Sequence, residues 1–589
     1  MRAPLNFTAR ARAWLLPLLA ASCWVAAGPV WAAPDAGSQI RRYHEETRER
    51  LAPKPAAGGD RPAVAPGPAK EAAQASTVDM HVSNLVVHGV TRFTQQEVEA
   101  ALTPFSGRRL DTASLHAAAD ALNKLYRQQG YFVAKVFVMP QTVVGGVVHL
   151  EVFEGLLESG GIEVVNPGTR INSPVIQAIL ERHLVTGEPI HRRAFERALL
   201  LAEDLPGVHT SSVLYPGQHV GTARLRLTVQ DTPVFAGNVD ADNFGNEATG
   251  RERLGTTLYL NSPTRRGEQW AVRLVTSGER SNYAYLNYLH PVSASGTRVG
   301  VSVDYFRYRS DFINGLGLSK GEATDARVYL THPLIRSRHG NLHLRADLSA
   351  LALHDRNSLG VNGKRRAQVA ALSLAGDDDH EVLGSGLTEF ETSLAVGRLD
   401  VVGNDLYRNL DSSTAQTDRS FTRLNAHVSR LQHLGSTWSI YGKLRGQVAN
   451  ANLDSSQKIY LGGATSNAGY PLGEVGGDQG IEAHLALRKE FLAPWGGSAQ
   501  AGIFYEQGWT QIHKNPWLGW QGSNGTLPNH VTLKSVGLSL SQTWPNAWVL
   551  RGRVGYQLGD NPLRDPATGK ASDGRGGKAR AWIQVVRYF

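Results

Sequence analysis

One cysteine, Cys23, stands among 589 residues, so no internal disulfide can brace the fold. Outside the first 33 residues no run of 18 or more apolar residues occurs, which excludes a bundle of membrane-spanning helices. Basic blocks are missing too. The net charge is +9, but Arg2, Arg10 and Arg12 lie in an N-terminal segment with the marks of a removable leader, so no nucleic-acid partner is expected. Reactive constellations are equally scarce. The 20 His residues are scattered without metal-protease spacing. Asp377-Asp378-Asp379-His380 reads as a solvated turn between strands rather than a metal site. Gly315-x-Gly317 lacks the strand-to-helix setting of a dinucleotide loop. No nucleophilic triad is visible. The expectation is a protein without enzyme activity, bound metal or cofactor. A disordered chain is excluded by a hydrophobic content of 41%.

What is present begins with the two ends. Arg2, Arg10 and Arg12 precede the apolar stretch Ala13 to Ala27, and Val30-Trp31-Ala32 supplies small residues at cleavage positions. This is the pattern of a secretory leader over residues 1–32. At the other end, Ala581-Trp582-Ile583-Gln584-Val585-Val586-Arg587-Tyr588-Phe589 is a strand closing on an aromatic residue. That ending resembles the sorting signal of bacterial outer-membrane barrels, with Phe589 as its mark. A last strand buried in a soluble sheet is the alternative.

Three zones lie between. Residues 33–78 hold a charged segment, Ser38 to Leu51, and then a stretch rich in Ala, Pro and Gly from Pro53 to Lys70, which is linker chemistry. Arg41, Arg42, Glu45, Glu46, Arg48 and Glu49 crowd the charged segment. Arg42 and Glu46 are four apart, the spacing at which opposite charges support a helix. That helix is too polar for a core. It is either solvated outside or seated in a wet lumen.

Residues 79–156 and 157–232 repeat one order, β-α-α-β-β. In the first unit, an extended run around Val82 to Val90 leads to Thr94-Gln95-Gln96-Glu97, a capping box. A second helix starts near Asp111 and carries Leu115, Ala118, Leu122 and Leu125; Gly130 ends it. Strands at Phe132 to Met139 and Val147 to Phe153 follow. The second unit has a strand at Ile162 to Val165, helices near Ser173 to Leu184 and His191 to Leu205, and strands at His209 to Tyr215 and Ala223 to Val229. Gly107-x-x-Leu110 with Leu115 matches Gly187-x-x-Ile190 with Phe195. Small sheets with an open edge bind peptides by strand addition; the alternative is a spacer.

From residue 233 the period changes to two. Ser439, Lys443, Arg445 and Gln447 alternate with Trp438, Ile440, Leu444 and Val448. Arg551, Arg553 and Gln557 oppose Leu550, Val554 and Tyr556. About sixteen such segments fit, one per roughly 22 residues, which suits transmembrane strands of about 9–11 residues. Backbone in hydrocarbon has no water to bond, so such a sheet must close. Sixteen strands enclose an aqueous lumen. Asn261 to Glu268 and Leu434-Gly435-Ser436 read as short turns, and Arg309 to Glu322, Asp400 to Arg419 and Ala449 to Gln479 as outer loops.

The order of leader, charged helix, Pro-rich linker, two β-α-α-β-β modules and sixteen-stranded barrel resembles the outer-membrane transporters of two-partner secretion (TpsB, the ShlB/FhaC/HecB family of haemolysin secretion/activation proteins). Leu461 to Glu474, continuing through Gly477-Asp478-Gln479-Gly480, looks like the family's inward-folding loop with its Val-Arg-Gly-Tyr motif. Gly502-Ile503-Phe504-Tyr505-Glu506 is placed like its Phe-x-Asp motif, and Asp242-Asn243-Phe244-Gly245 with Thr249-Gly250-Arg251 fits the barrel start. The resemblance implies an all-β 16-stranded transmembrane barrel (residues 233–589) behind two α+β POTRA domains and a plug helix, in the outer membrane of a Gram-negative bacterium with the POTRA domains in the periplasm. It implies a monomer that exports a large secreted exoprotein client through its N-terminal secretion domain, with outer-membrane lipid around the barrel. A barrel-assembly factor is the rival, then a diffusion porin. One departure stands out. The motif's Val and Arg positions hold Asn467 and Ala468, while Gly469 and Tyr470 match and serve either to anchor the loop or to set a turn. The inward acid position holds Glu506. A confined carboxylate without its cation is costly, so either another Arg or Lys substitutes, or water solvates Glu506.

Overall fold

Residues 35–51, 80–168, 170–310, 318–357, 362–379, 384–403, 405–521 and 527–589 are described in the computed structural model. The leader and the Pro53 to Lys70 linker lie outside the described residues, as do Gly315, Gly317 and His380.

The charged segment is helix α1, Ala36–Leu51. The first module follows as β1 (Met80–Val82), β2 (Asn84–His88), α2 (Gln95–Leu102), β3 (Arg108–Leu110), α3 (Thr112–Gln128), β4 (Lys135–Val138) and β5 (Val147–Phe153). The capping box forms: the Thr94 side chain accepts from the Glu97 N–H, and the Glu97 side chain from the Thr94 backbone. Asp111 caps α3 by accepting from the Ser114 N–H at 2.8 Å. Gly130 takes φ +91° just past the helix, a conformation that favours glycine. Helix α3 presents Leu115, Ala118, Leu122 and Tyr126 to a sheet ordered β2-β5-β4. The pair β1–β3 escaped the periodicity reading, because three residues give no period.

The second module is β6 (Leu156–Val165), α4 (Ser173–His183), α5 (Arg192–Glu203), β7 (Val208–Pro216) and β8 (Thr222–Asp231), with sheet order β6-β8-β7. The repeat has a physical basis. Leu110 and Leu115 in one module, and Ile190 and Phe195 in the other, are buried, while Gly107 and Gly187 both take positive φ, +69° and +80°. Strand β6 starts six residues earlier than its apolar run, over Leu156 to Gly161. The module docks on the barrel's near rim: Arg336 meets Asp204 at 2.7 Å, and Arg197 donates to the Pro333 carbonyl at 2.6 Å.

Period-two alternation becomes a closed antiparallel barrel. Its strands are β9 (Phe235–Asp242), β10 (Arg253–Asn261), β11 (Gln269–Thr276), β12 (Ser281–Pro291), β13 (Arg298–Ser310) and β14 (Ser319–Arg336). Then come β15 (Gly340–Asn357), β16 (Asn362–Asp378), β17 (Gly386–Val402), β18 (Ser420–His433) and β19 (Trp438–Ala449). A hairpin, β20 (Ile459–Leu461) with β21 (Val475–Gly477), interrupts the wall before β22 (Gln479–Leu492), β23 (Ser498–Gln511), β24 (His530–Thr543), β25 (Trp548–Gln557) and β26 (Ala579–Tyr588). Strand β26 closes on β9, Gln584 opposite Asp242 through Tyr588 opposite Asn238. Phe589 extends this seam by exchanging backbone hydrogen bonds with Gly237, both 3.0 Å.

Outward positions such as Leu286, Leu348, Ile440, Leu444 and Val554 are exposed and apolar, while Ser439, Asp347 and Gln557 are buried on the inner face. Lipid and water thus meet opposite faces. Three loops differ from the sequence reading: Ala449 to Gln479, expected as an outer loop, carries β20 and β21 and is largely buried inside the barrel, and two others are shortened. Strand β17 runs on to Val402 and a short helix, α6 (Asp405–Ser413), occupies most of the expected Asp400 to Arg419 loop. Strands β13 and β14 extend into the expected loop from Arg309, to Ser310 and from Ser319. The reason is length: β14 and β15 have 18 residues each, well beyond the about 9–11 that cross a bilayer, so the wall rises above the membrane.

Candidate functional site in the barrel lumen

Two structures fill the lumen, the inward loop between β19 and β22 and helix α1. The loop lies against β22 to β25. Glu506 on β23 is fully buried. Its strand neighbours in register are His484 on β22 and Ser535 on β24. The His484 Nδ1 lies 2.9 Å from Glu506 Oε1. The Ser535 hydroxyl donates to Oε2 at 3.0 Å, and the Ala468 N–H donates to the same oxygen at 2.6 Å. Arg553, from β25, donates through Nη2 to Oε1 at 2.6 Å and through Nη1 to the Ala464 carbonyl of the loop. Its guanidinium lies 4.3 Å from the centre of the Phe504 ring. Of the two options left open by sequence, a substitute cation is the one observed. Arg553 comes from the wall and reaches both the acid and the loop.

The other motif positions contact backbone. Asn467 Nδ2 donates to the Leu533 carbonyl at 3.1 Å. The Ala468 carbonyl accepts from Trp582 Nε1 at 2.8 Å, and the Gly469 carbonyl from Arg580 Nη1 at 2.9 Å. Gly469 is required by closeness: a Cβ there would sit 2.8 Å from the Gln557 nitrogen. Tyr470 is fully buried among Leu461, Val475, Val531 and Leu533, and its hydroxyl accepts from the Lys534 N–H at 3.3 Å. Glu474, lower in the loop, accepts from Asn561 and Ser572 of the β25–β26 connection.

Helix α1 crosses the lumen beside the loop. Ala36, Ile40 and Tyr43 are buried in an apolar cluster with wall residues including Val275, Phe306, Leu351 and Leu353, with Tyr43 stacked on Tyr283 at 5.0 Å and tilted against Phe306 at 5.1 Å. Charges hold the rest. Arg41 pairs with Glu45 at 2.6 Å, and Glu46 with Arg50 at 2.8 Å, along the helix. Arg42 does not pair with Glu46 as its spacing had suggested; it donates to the Leu472 carbonyl of the inward loop at 3.2 Å. Toward the wall, Glu46 meets Arg253 at 2.9 Å, Arg48 meets Glu391 at 2.5 Å, Glu49 meets Lys443 at 3.7 Å and Arg50 meets Asp240 at 3.2 Å. Tyr43, His44 and Arg553 were missed as site residues by sequence reasoning. Only the alternation of Arg553 with lipid-facing Val554 signalled that it points inward.

In the second module a cavity of about 320 Å³ opens beside β6, lined by Leu157, Glu158, Gly187, His219 and Arg224 among others. The His219 Nδ1 lies 2.9 Å from Glu158 and, with the Gln218 N–H, holds that carboxyl below its usual range.

Comparison with known proteins places this architecture. The family model of the haemolysin secretion/activation protein ShlB/FhaC/HecB matches residues 221–523, and that of the ShlB-type POTRA domain matches residues 80–155. The chain belongs to the ShlB/FhaC/HecB family. Among curated relatives, the heme/hemopexin transporter protein HuxB of Haemophilus influenzae (strain 86-028NP) is 27% identical over 469 residues, covering 79% of this chain and 81% of the relative. The outer membrane transporter CdiB of Escherichia coli O6:K15:H31 is 24% identical over 479 residues, 76% and 74% of the two chains. The solved structure of CdiB from Escherichia coli shares the fold with a TM-score of 0.70 at 18% identity, over 94% of this chain and 98% of that one. As a member of the ShlB/FhaC/HecB family, the protein is an outer-membrane transporter of two-partner secretion, with its POTRA modules in the periplasm. The family is one of transporters rather than enzymes. This rules against the diffusion-porin and assembly-factor readings as the main function.

Proposed function

We propose that the protein exports a large secreted polypeptide of adhesin, haemolysin or contact-dependent toxin type, captured unfolded by strand addition and threaded through the lumen after α1 withdraws. The family model described as haemolysin secretion/activation and the relative named as a heme/hemopexin transporter support a client of this kind. The observation that carries the reading is the pairing of a free sheet edge with a removable occupant. Among the described residues strand β7 pairs only β8, so its outer backbone is available to a client that needs no defined side chains. Helix α1 is held in the lumen by side-chain ion pairs together with an apolar cluster around Ala36, Ile40 and Tyr43. The Glu506–Arg553 contact positions the inward loop against the wall beside the path. Phe589 serves as the sorting mark, and the barrel works as a monomer. Client folding outside the cell supplies direction, since a folded client cannot slip back. The test is deletion of residues 34–52. Single-channel conductance of the reconstituted barrel should rise well above that of the full chain; unchanged conductance would sink the plug. Export is read by secretion of the long, repeat-rich product expected from the neighbouring open reading frame, which should stop when the transporter is deleted.

A further inference from the structure

Asp304 on β13 and Asp325 on β14 lie directly opposite each other in register. Like charges so placed repel, and both residues are buried, at 0% and 7% exposed. Arg327 answers part of this charge by donating to Asp325 Oδ2 at 2.7 Å. Tyr283 donates to Asp304 but is neutral. The remaining partner comes from the plug: His44 of α1 places Nδ1 3.2 Å from Asp304 Oδ2. Asp325 Oδ1 is buried and meets no donor among the described residues. One ligand atom each from His44, Asp304 and Asp325 lie within 4.8 Å of one another.

We propose that His44, Asp304 and Asp325 bind a divalent transition-metal ion of the zinc class, which clamps helix α1 to the barrel wall. An imidazole and two carboxylates form a donor set that zinc accepts, with bonds of about 2.0–2.2 Å and a fourth position left for water. Two such bonds at a tetrahedral angle set ligand atoms roughly 3.3 Å apart, close to the observed His44–Asp304 separation of 3.2 Å. The orphan oxygen of Asp325 then gains a partner, and the opposed carboxylates gain the charge they lack. The three residues are 260 and 21 positions apart in the chain, so no linear spacing announces the site. The wall supplies two ligands and the plug one, so withdrawal of α1 dismantles the site. Metal therefore favours the plugged state by binding it alone.

The inference rests on α1 acting as the plug, and the experiment separates the two. The metal-stripped full chain in detergent is titrated with zinc by calorimetry, beside His44→Ala and the near-isosteric Asp325→Asn, with a heat-shifted gel band confirming a folded barrel. One equivalent should bind to the wild type, at least tenfold tighter than to either variant. In planar bilayers zinc should lower the open fraction of the wild type, a chelator should restore it, and the His44→Ala channel should not respond. Equal zinc affinity in all three proteins overturns the proposal, as does a wild-type open fraction unmoved by zinc when deletion of residues 34–52 does raise conductance. Should deletion of residues 34–52 leave conductance unchanged while the tight site disappears, the metal site stands and the plug reading falls.

Discussion

At the scale of single residues, the informative group is Arg553. A carboxylate buried in a wall of strands needs both charge and hydrogen bonds around it. Glu506 receives them from three strands and the loop, and Arg553 bridges acid and loop through the Ala464 carbonyl, beside the direct Ala468 N–H contact. Replacing Arg553 by Ala leaves a buried carboxylate with His484 as its only close cation candidate among the described residues. The expected loss is about 3 kcal/mol, the lower end for a broken buried pair. It should appear as a lower midpoint in the heat-shifted mobility of the barrel. The double variant Arg553→Ala with Glu506→Gln should recover part of that midpoint, because no unpaired charge remains; no recovery would mean that Arg553 acts by packing on Phe504. Gly469→Ala should also loosen the loop, since its new Cβ would meet the backbone of Tyr556 and Gln557, which cannot move cheaply. Limited proteolysis of the loop is the measurement, and an unchanged cleavage rate would count against a tight approach at this position.

Among elements, the edge of β7 has a direction that can be worked out. The Gly217 N–H donates to the Thr222 carbonyl, and the Thr232 N–H to the Gly207 carbonyl. Odd-numbered residues of β7 therefore face β8. Thr210, an even position, instead donates outward to the Glu203 side chain at 2.5 Å. Two adjacent serines give a matched pair. Ser212→Pro removes an outward N–H and should leave the module folded, as proline is tolerated on strand edges, while weakening client-peptide binding roughly tenfold, on the scale of about one charge-neutral hydrogen bond plus a steric block. Ser211→Pro removes a ladder bond and should unfold the module by circular dichroism. If Ser212→Pro binds client as the wild type does, the added strand does not sit on β7. How much of this was legible beforehand follows the physics of each element. Capped helices such as α2 and α3 and alternating strands such as β19 and β25 carry their own period, so sequence alone located them. The β1–β3 pair has three residues a strand, too few for a period, and helix α6 buries no residue, so no apolar stripe marked it. The Glu506 cluster was half legible: the acid and the loop showed through the motif, but its cation lies 47 positions away on β25 and depends on barrel closure. The His44, Asp304 and Asp325 group needed both closure and plug docking.

For the whole molecule, the balance between plugged and open states should depend on ionic strength. Helix α1 meets the wall through Glu46–Arg253, Arg48–Glu391, Glu49–Lys443 and Arg50–Asp240. Arg48 and Glu49 have side chains 43% and 65% exposed, so salt screens these two pairs, and surface pairs of this kind contribute at most about 1 kcal/mol each. Glu46 with Arg253 and Arg50 with Asp240 lie deeper and are screened less. Two consequences separate the layers. Raising salt from 0.1 M to 1 M shortens the screening length from about 10 Å to about 3 Å, which should raise the open fraction of the reconstituted channel a few-fold beyond the change in bulk conductivity. The double variant Glu46→Gln with Arg50→Gln removes the deeper pairs and should raise it at least tenfold at low salt, approaching the channel that lacks residues 34–52. That order matters, because a plug held by its apolar contact alone would ignore both changes. If the open fraction responds to neither salt nor the double variant, but rises with Tyr43→Ala, then stacking on Tyr283 and Phe306 retains the helix, and the surrounding charges serve only to keep the lumen wet.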